Sequence, residues 1–225
     1  MIKYEELERN ITDERLKTYL DFVNNDKVKA IELYEWNTKI SESLYIPLSY
    51  FEVVLRNVCN EKLKKELGKN WYLNAKILSG NNAEKGQWAL DRIEEAKSKI
   101  QKRKLLKKIL DQEITLGDIV SNLEFSFWSN LFCANYEFKI WLPYLRPLFH
   151  NKNRKDLFKK IDSIRELRNR IFHYEPILFN NNPEEKYNLI IDLLCTISSQ
   201  DICNHVRSIS NFEKIFQEYK NSGVY

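Results

Sequence analysis

Glycine and proline are scarce in this sequence, at 5 residues each among 225. Average usage would supply about three times as many glycines. Turns lean on both residues, so few turns can be built. Strand-rich folds, which need turns often, are disfavoured, and long elements with short connections remain. Long apolar runs are also missing. No window of 18 apolar residues occurs, which leaves no candidate membrane span. The first ten residues carry Lys3, Glu5, Glu6, Glu8 and Arg9 with no apolar stretch behind them, so no signal peptide is expected. The four cysteines, Cys59, Cys133, Cys195 and Cys203, form no C-x-x-C pair and no set with zinc-site spacing. They read as reduced thiols of a cytoplasmic chain, with Cys195 and Cys203 as packing residues two helical turns apart. P-loops, G-x-G-x-x-G, H-E-x-x-H and G-x-S-x-G patterns are absent, so neither a cofactor nor a metal is expected.

What the chain does hold is globular in kind: 43% hydrophobic and 30% charged residues, too apolar for a disordered segment. The net charge of +4 is too mild to establish nucleic-acid binding by itself. Apolar residues recur at intervals of three and four, the helical period. Leu16, Tyr19, Leu20 and Val23 predict a helix opened by Thr12, and Val28 to Ile40 a second. A third begins around Pro47 and stops at Gly68. A long charged helix is expected from about Ala83 to Leu110. The aromatic stretch Leu116 to Phe149 should hold two or three short helices ended by Pro143 or Pro147. Further helices are expected over Arg154–His173, Pro183–Ser198 and Asp201–Tyr219. With no repeat or linker, the simplest organisation is one all-α domain over residues 1–225.

One segment carries chemistry: Leu167-Arg168-Asn169-Arg170-Ile171-Phe172-His173-Tyr174-Glu175-Pro176. Leu167 and Ile171 are spaced to face a core. Asn169 and His173, at i,i+4, share a helix face, with Arg168 and Phe172 in the next stripe. Pro176 disfavours helical geometry at Glu175, so the helix should end near His173. A histidine there faces the negative end of the helix dipole, and imidazole is the side chain that titrates nearest neutrality. Arg168 offers a planar fork of donors suited to phosphate. Asn169 can orient the imidazole or hold a phosphate oxygen. The trio suffices for one reaction without a metal: an RNA 2′-OH attacks its neighbouring phosphorus, His173 moves protons, and Arg168 stabilises the developing charge. The same residue types on a helix face also serve as surface or capping residues.

Four ordered segments resemble the Abi-like (abortive-infection) proteins of the HEPN superfamily. Leu167 to Ile177 resembles their LRNxxxHxEPI signature, and Ile31 to Asn37 their LYxWN helix. Phe51 to Asn57 resembles their xEVxLRN helix, and Phe125 to Leu131 their xFxFWxxLL segment. The resemblance implies a HEPN-like helical bundle with additional helices. It implies a metal-independent endoribonuclease, usually a homodimer, in a toxin, toxin–antitoxin or antiphage role, with RNA and an antitoxin (protein or RNA) as partners. It makes Arg168, Asn169 and His173 catalytic, and Glu52, Arg56 and Asn57 supporting. Some HEPN domains only bind, so a non-catalytic module for RNA, a nucleotide or a protein partner is the alternative. In some members a tyrosine two residues after the histidine is modified by a partner nucleotidyltransferase; Glu175 stands there in this chain.

Two other features stand out. The run from Lys97 to Lys108 holds Lys97, Lys99, Lys102, Arg103, Lys104, Lys107 and Lys108 and no acid. It is expected to be a basic helix with an apolar seam, either solvated or tracking an RNA backbone. The aromatics around Trp128 fit a core or dimer interface, or alternatively a stacking platform for bases.

Overall fold

A computed structural model of the chain describes residues 3–107, 113–150, 152–179 and 182–224, without the side chains of 83–86. Among the described residues it is all-α, with twelve α-helices and no strand. None of these helices is long and apolar enough to cross a membrane. The chain divides into two compact units: Met1–Tyr50, Glu166–Asp192 and Gln200–Tyr225 form one, and Phe51–Arg165 with Leu193–Ser199 the other.

The first unit opens with α1 (Tyr4–Ile11), a short helix not among those expected, although its apolar residues Tyr4, Leu7 and Ile11 recur at the helical period. In α2 (Asp13–Phe22), Thr12 is the residue before the helix, as expected, but its side chain makes no capping bond. Asp13 and Glu14 in the first turn complement the dipole instead. By contrast α3 (Lys27–Ser43) is capped by Asp26, whose carboxylate accepts the N–H groups of Val28 and Lys29, both at 3.1 Å. Then α4 (Tyr45–Leu67) begins with Pro47 in its first turn, where a missing N–H costs nothing. The core of this unit gathers Tyr4, Leu16, Tyr19, Ala30, Ile31, Leu33 and Val224. Burial raises the Tyr19 hydroxyl well above its ordinary pKa, and its ring meets Tyr34 and Phe179 edge-on at 5.4 Å each.

Later in the chain, α9 (Arg154–Phe172) contributes its last two turns to this unit, followed by α10 (Pro183–Ile197) as far as Asp192. The single helix expected over Asp201–Tyr219 is two, α11 (Gln200–Ile209) and α12 (Phe212–Ser222). The break falls at Ser210 and Asn211, residues that compete with the helix by bonding the local backbone. The Ser210 hydroxyl accepts the N–H of Phe212 at 3.4 Å. The break turns Phe212 inward to stack on Tyr187 at 4.4 Å.

In the second unit α4 runs on to Gly68, whose φ of +84° ends the helix in the left-handed region. There follow α5 (Ala75–Leu78), α6 (Ala83–Leu106), α7 (Leu116–Asn122) and α8 (Phe125–Asn130). Helix α7 starts with a capping box between Thr115 and Asp118. Most of the aromatic stretch is core: Phe125, Phe127, Trp128, Phe132, Tyr136, Trp141 and Phe149 are buried, whereas Phe138 is exposed, and Phe127 meets Trp128 edge-on at 5.2 Å. The stacking-platform alternative for Trp128 is thereby overturned. Pro143 does not end a helix here. It lies inside a π-helical stretch, Glu137–Leu145, whose wider turn accommodates the proline ring.

The expectation of four thiols needs correction. Cys59 and Cys133 are free, and burial holds the Cys59 thiol far above its ordinary pKa, whereas Cys195 and Cys203 are disulfide-bonded.

Candidate functional site

The motif occupies the end of α9 in the first unit. The helix stops at Phe172, one residue before the expected His173, in a Schellman turn: Glu175 N–H bonds Arg170 C=O at 2.8 Å and Tyr174 N–H bonds Ile171 C=O at 3.1 Å. Tyr174 takes the left-handed position of that turn, with φ +57°. Glycine is usual there, since a Cβ is disfavoured.

Arg168 and Asn169 are half-buried and His173 is exposed. Asn169 C=O accepts the backbone N–H of His173 at 2.9 Å, so the two residues stand one turn apart on one face as their spacing predicts. The Arg168 guanidinium packs over the Phe172 ring at 4.3 Å, and its Nη1 donates to Asn169 Oδ1 at 3.4 Å. Leu167 is buried as expected. Ile171 is only half-buried and lines two surface cavities rather than the core.

The loop after the motif is tied down at two points. Asn37, in the LYxWN-like segment of α3, is buried, and its Oδ1 accepts the N–H of Ile177 at 2.7 Å. That bond joins two of the segments on which the family resemblance rests. Arg15, on α2, donates from Nη1 to the Tyr174 carbonyl at 2.8 Å. Around this anchorage lies a cavity of about 450 Å³ lined by residues that include Arg15, Asn37, Thr38, Ser41, Ile171 and Tyr174. A second, of about 320 Å³, adds Glu42, Tyr45 and Phe172. Sequence reasoning missed Arg15, Thr38, Ser41 and Tyr45, which belong to helices distant in sequence. Asn37 alone carried a signal, as a polar residue on the buried face of an apolar helix.

Glu52, Arg56 and Asn57 lie on α4 in the second unit. Arg56 Nε donates to Asn57 Oδ1 at 3.4 Å. The basic residues from Lys97 to Lys104 lie on α6 in the same unit, with Lys107 just past its end, and their side chains diverge. Lys97 pairs with Glu94 at 2.6 Å and Lys99 with Glu124 at 3.4 Å. Lys104 continues the buried seam of Ile93, Ala96 and Ile100, and its ammonium donates to the Glu113 carbonyl at 2.7 Å. Lys102, Arg103 and Lys107 are exposed; Lys108 lies outside the described residues.

The chain matches no family model, no curated protein and no solved structure.

Proposed function

We propose that this chain is a HEPN-type, metal-independent endoribonuclease of the Abi-like kind, acting as an abortive-infection or toxin effector against phage. The observation that carries the reading is the grouping of Arg168, Asn169 and His173 at the C-terminal end of a helix, where the following loop is held by Asn37 and Arg15. Precise holding of few groups is what metal-free phosphoryl chemistry requires. In the reaction the 2′-oxygen attacks the adjacent phosphorus while its proton passes to the imidazole of His173. The P–O5′ bond breaks, and the leaving 5′-oxygen takes up a proton from solvent water, while the His173 imidazolium later returns its proton to solvent. The products are a 2′,3′-cyclic phosphate and a 5′-hydroxyl. Arg168 offsets the charge that builds on the non-bridging oxygens. Asn169 orients. A second copy across a homodimer completes the cleft. In the second unit, Glu52, Arg56 and Asn57 are the supporting residues and exposed Lys102, Arg103 and Lys107 hold RNA phosphates.

A second reading, a non-catalytic module that binds RNA or a partner, is favoured by the exposed aromatics Tyr45, Phe172 and Tyr174 beside the motif, which offer contact surface and no proton chemistry. One assay separates the two. Purified protein is expected to cut RNA in EDTA, and His173→Ala to lose at least about 100-fold in rate, the usual worth of proton transfer, with an unchanged circular dichroism spectrum. Cleavage that vanishes in EDTA, or that survives in His173→Ala, would sink the mechanism. Salt-sensitive binding without cleavage would select the second reading.

A further inference from the structure

Three large aromatic side chains stand exposed together at the end of α9: Tyr45 at 55%, Phe172 at 45% and Tyr174 at 76%. The proton chemistry above uses none of them. They line the groove of about 320 Å³ with Thr38, Ser41, Glu42 and Ile171. Its neighbour of about 450 Å³ shares Thr38, Ser41, Ile171 and Tyr174, so the two are continuous.

Tyr174 is the informative member. Its backbone sits at φ +57°, where glycine would close the same turn without a Cβ. Arg15 fixes its carbonyl. An aromatic ring held outward in a disfavoured conformation, beside a reactive motif, marks a position shaped for contact rather than for folding. Phe172 links this groove to the motif, with the Arg168 guanidinium at 4.3 Å and the Tyr45 ring at 6.1 Å.

The polar lining sets the ligand's chemistry. Asn37 belongs to the adjoining cavity, where its Oδ1 accepts the Ile177 N–H. Thr38 gives its hydroxyl proton to the Tyr34 carbonyl, so it offers an acceptor. Ser41 can do either, and the Glu42 carboxylate accepts. Aromatic faces flanked by two acceptors and the Ser41 hydroxyl, which can also donate, suit a planar heterocycle whose edge carries both donors and acceptors. We propose that the groove between Tyr45 and Tyr174 holds one unpaired nucleobase of an RNA strand whose adjacent phosphate meets Arg168. This rests on the RNA reading of the same site. It also names the substrate: a loop or single strand, because bases inside a duplex stay stacked and turned inward.

The test uses the full-length His173→Ala chain and a short single-stranded RNA carrying one 2-aminopurine. Binding is expected to change the fluorescence of that base. Tyr45→Ala and Tyr174→Ala should each weaken binding about tenfold, the scale of one lost stacking partner, while Tyr174→Phe retains it. The same strand annealed to its complement should bind less tightly. Unchanged affinity and fluorescence in both alanine variants overturn the groove, as does equal affinity for the free 2-aminopurine riboside. So does a variant whose only effect is a shift of sedimentation mass, which would assign the aromatics to a contact between copies. RNA cleavage by the wild type with no effect in the tyrosine variants leaves the endonuclease reading standing and removes this one. Quenching by the strand without wild-type cleavage does the reverse.

Discussion

Tyr174 shows how much one backbone angle can reveal. At φ +57° a residue with a Cβ costs about 1–2 kcal/mol relative to one without. Because the side chain is largely exposed, little packing is lost on its removal. Tyr174→Gly is therefore expected to stabilise the fold by about 1 kcal/mol, after the glycine's extra unfolded-state entropy is subtracted. A urea titration measures it, and a loss of stability would show that the ring holds the turn. The same variant should bind RNA less well, a trade of stability against function of the kind that active sites carry. His173 is a simpler case. Its spacing from Asn169 was legible in the sequence because i,i+4 geometry is local, whereas the cavity beside Ile171 and Tyr174 was not, because α1, α2 and α3 supply most of its wall.

At the scale of elements, two devices position the helices, and each has a measurable signature. Asn37 on α3 satisfies the N–H of Ile177 beyond the end of α9. In Asn37→Ala that buried donor loses its acceptor, a loss worth about 1–3 kcal/mol. A fall of that size in urea-derived stability, with reduced RNA cleavage, is expected; unchanged stability would mean that water replaces the amide. The second device is the capping box of α7. Bonds from the backbone and side chain of Thr115 hold the Asp118 carboxyl below its ordinary value of 3.8. The folded pKa is the lower one, so the contribution is present above the ordinary value and is lost as pH falls through the depressed one. The stability gap between wild type and Asp118→Ala should therefore be full at pH 7 and shrink in acid. A gap independent of pH would mean that the carboxylate's charge plays no part.

For the whole molecule, the question is how charge is deployed. A net charge of +4 is small, and on α6 three of the basic residues are engaged by Glu94, Glu124 and the Glu113 carbonyl. Lys102, Arg103 and Lys107 are exposed, and the proposed function assigns them to RNA phosphates. Each phosphate contact on a single strand adds about 0.7 to the slope of log affinity against log salt. Replacing all three by alanine should flatten that slope by about 2. A slope that does not change would place the RNA path elsewhere than on α6.

The sequence by itself determined the helical class, most helix boundaries and the position of the motif. These depend on apolar period, on glycine and proline punctuation, and on i,i+4 spacing, all properties of neighbours along the chain. It also drew the aromatic stretch around Trp128 and left two uses for it; burial decided in favour of core. Tertiary structure alone decided what surrounds the motif. The Asn37–Ile177 bond spans 140 residues and the Arg15–Tyr174 bond 159, and no local pattern encodes such a pairing. The same holds for Lys104, which reads as one more cation in a basic run yet is drawn inward by a carbonyl nine residues away. Which basic and aromatic side chains face outward depends on what each helix packs against, and packing is a property of the folded chain.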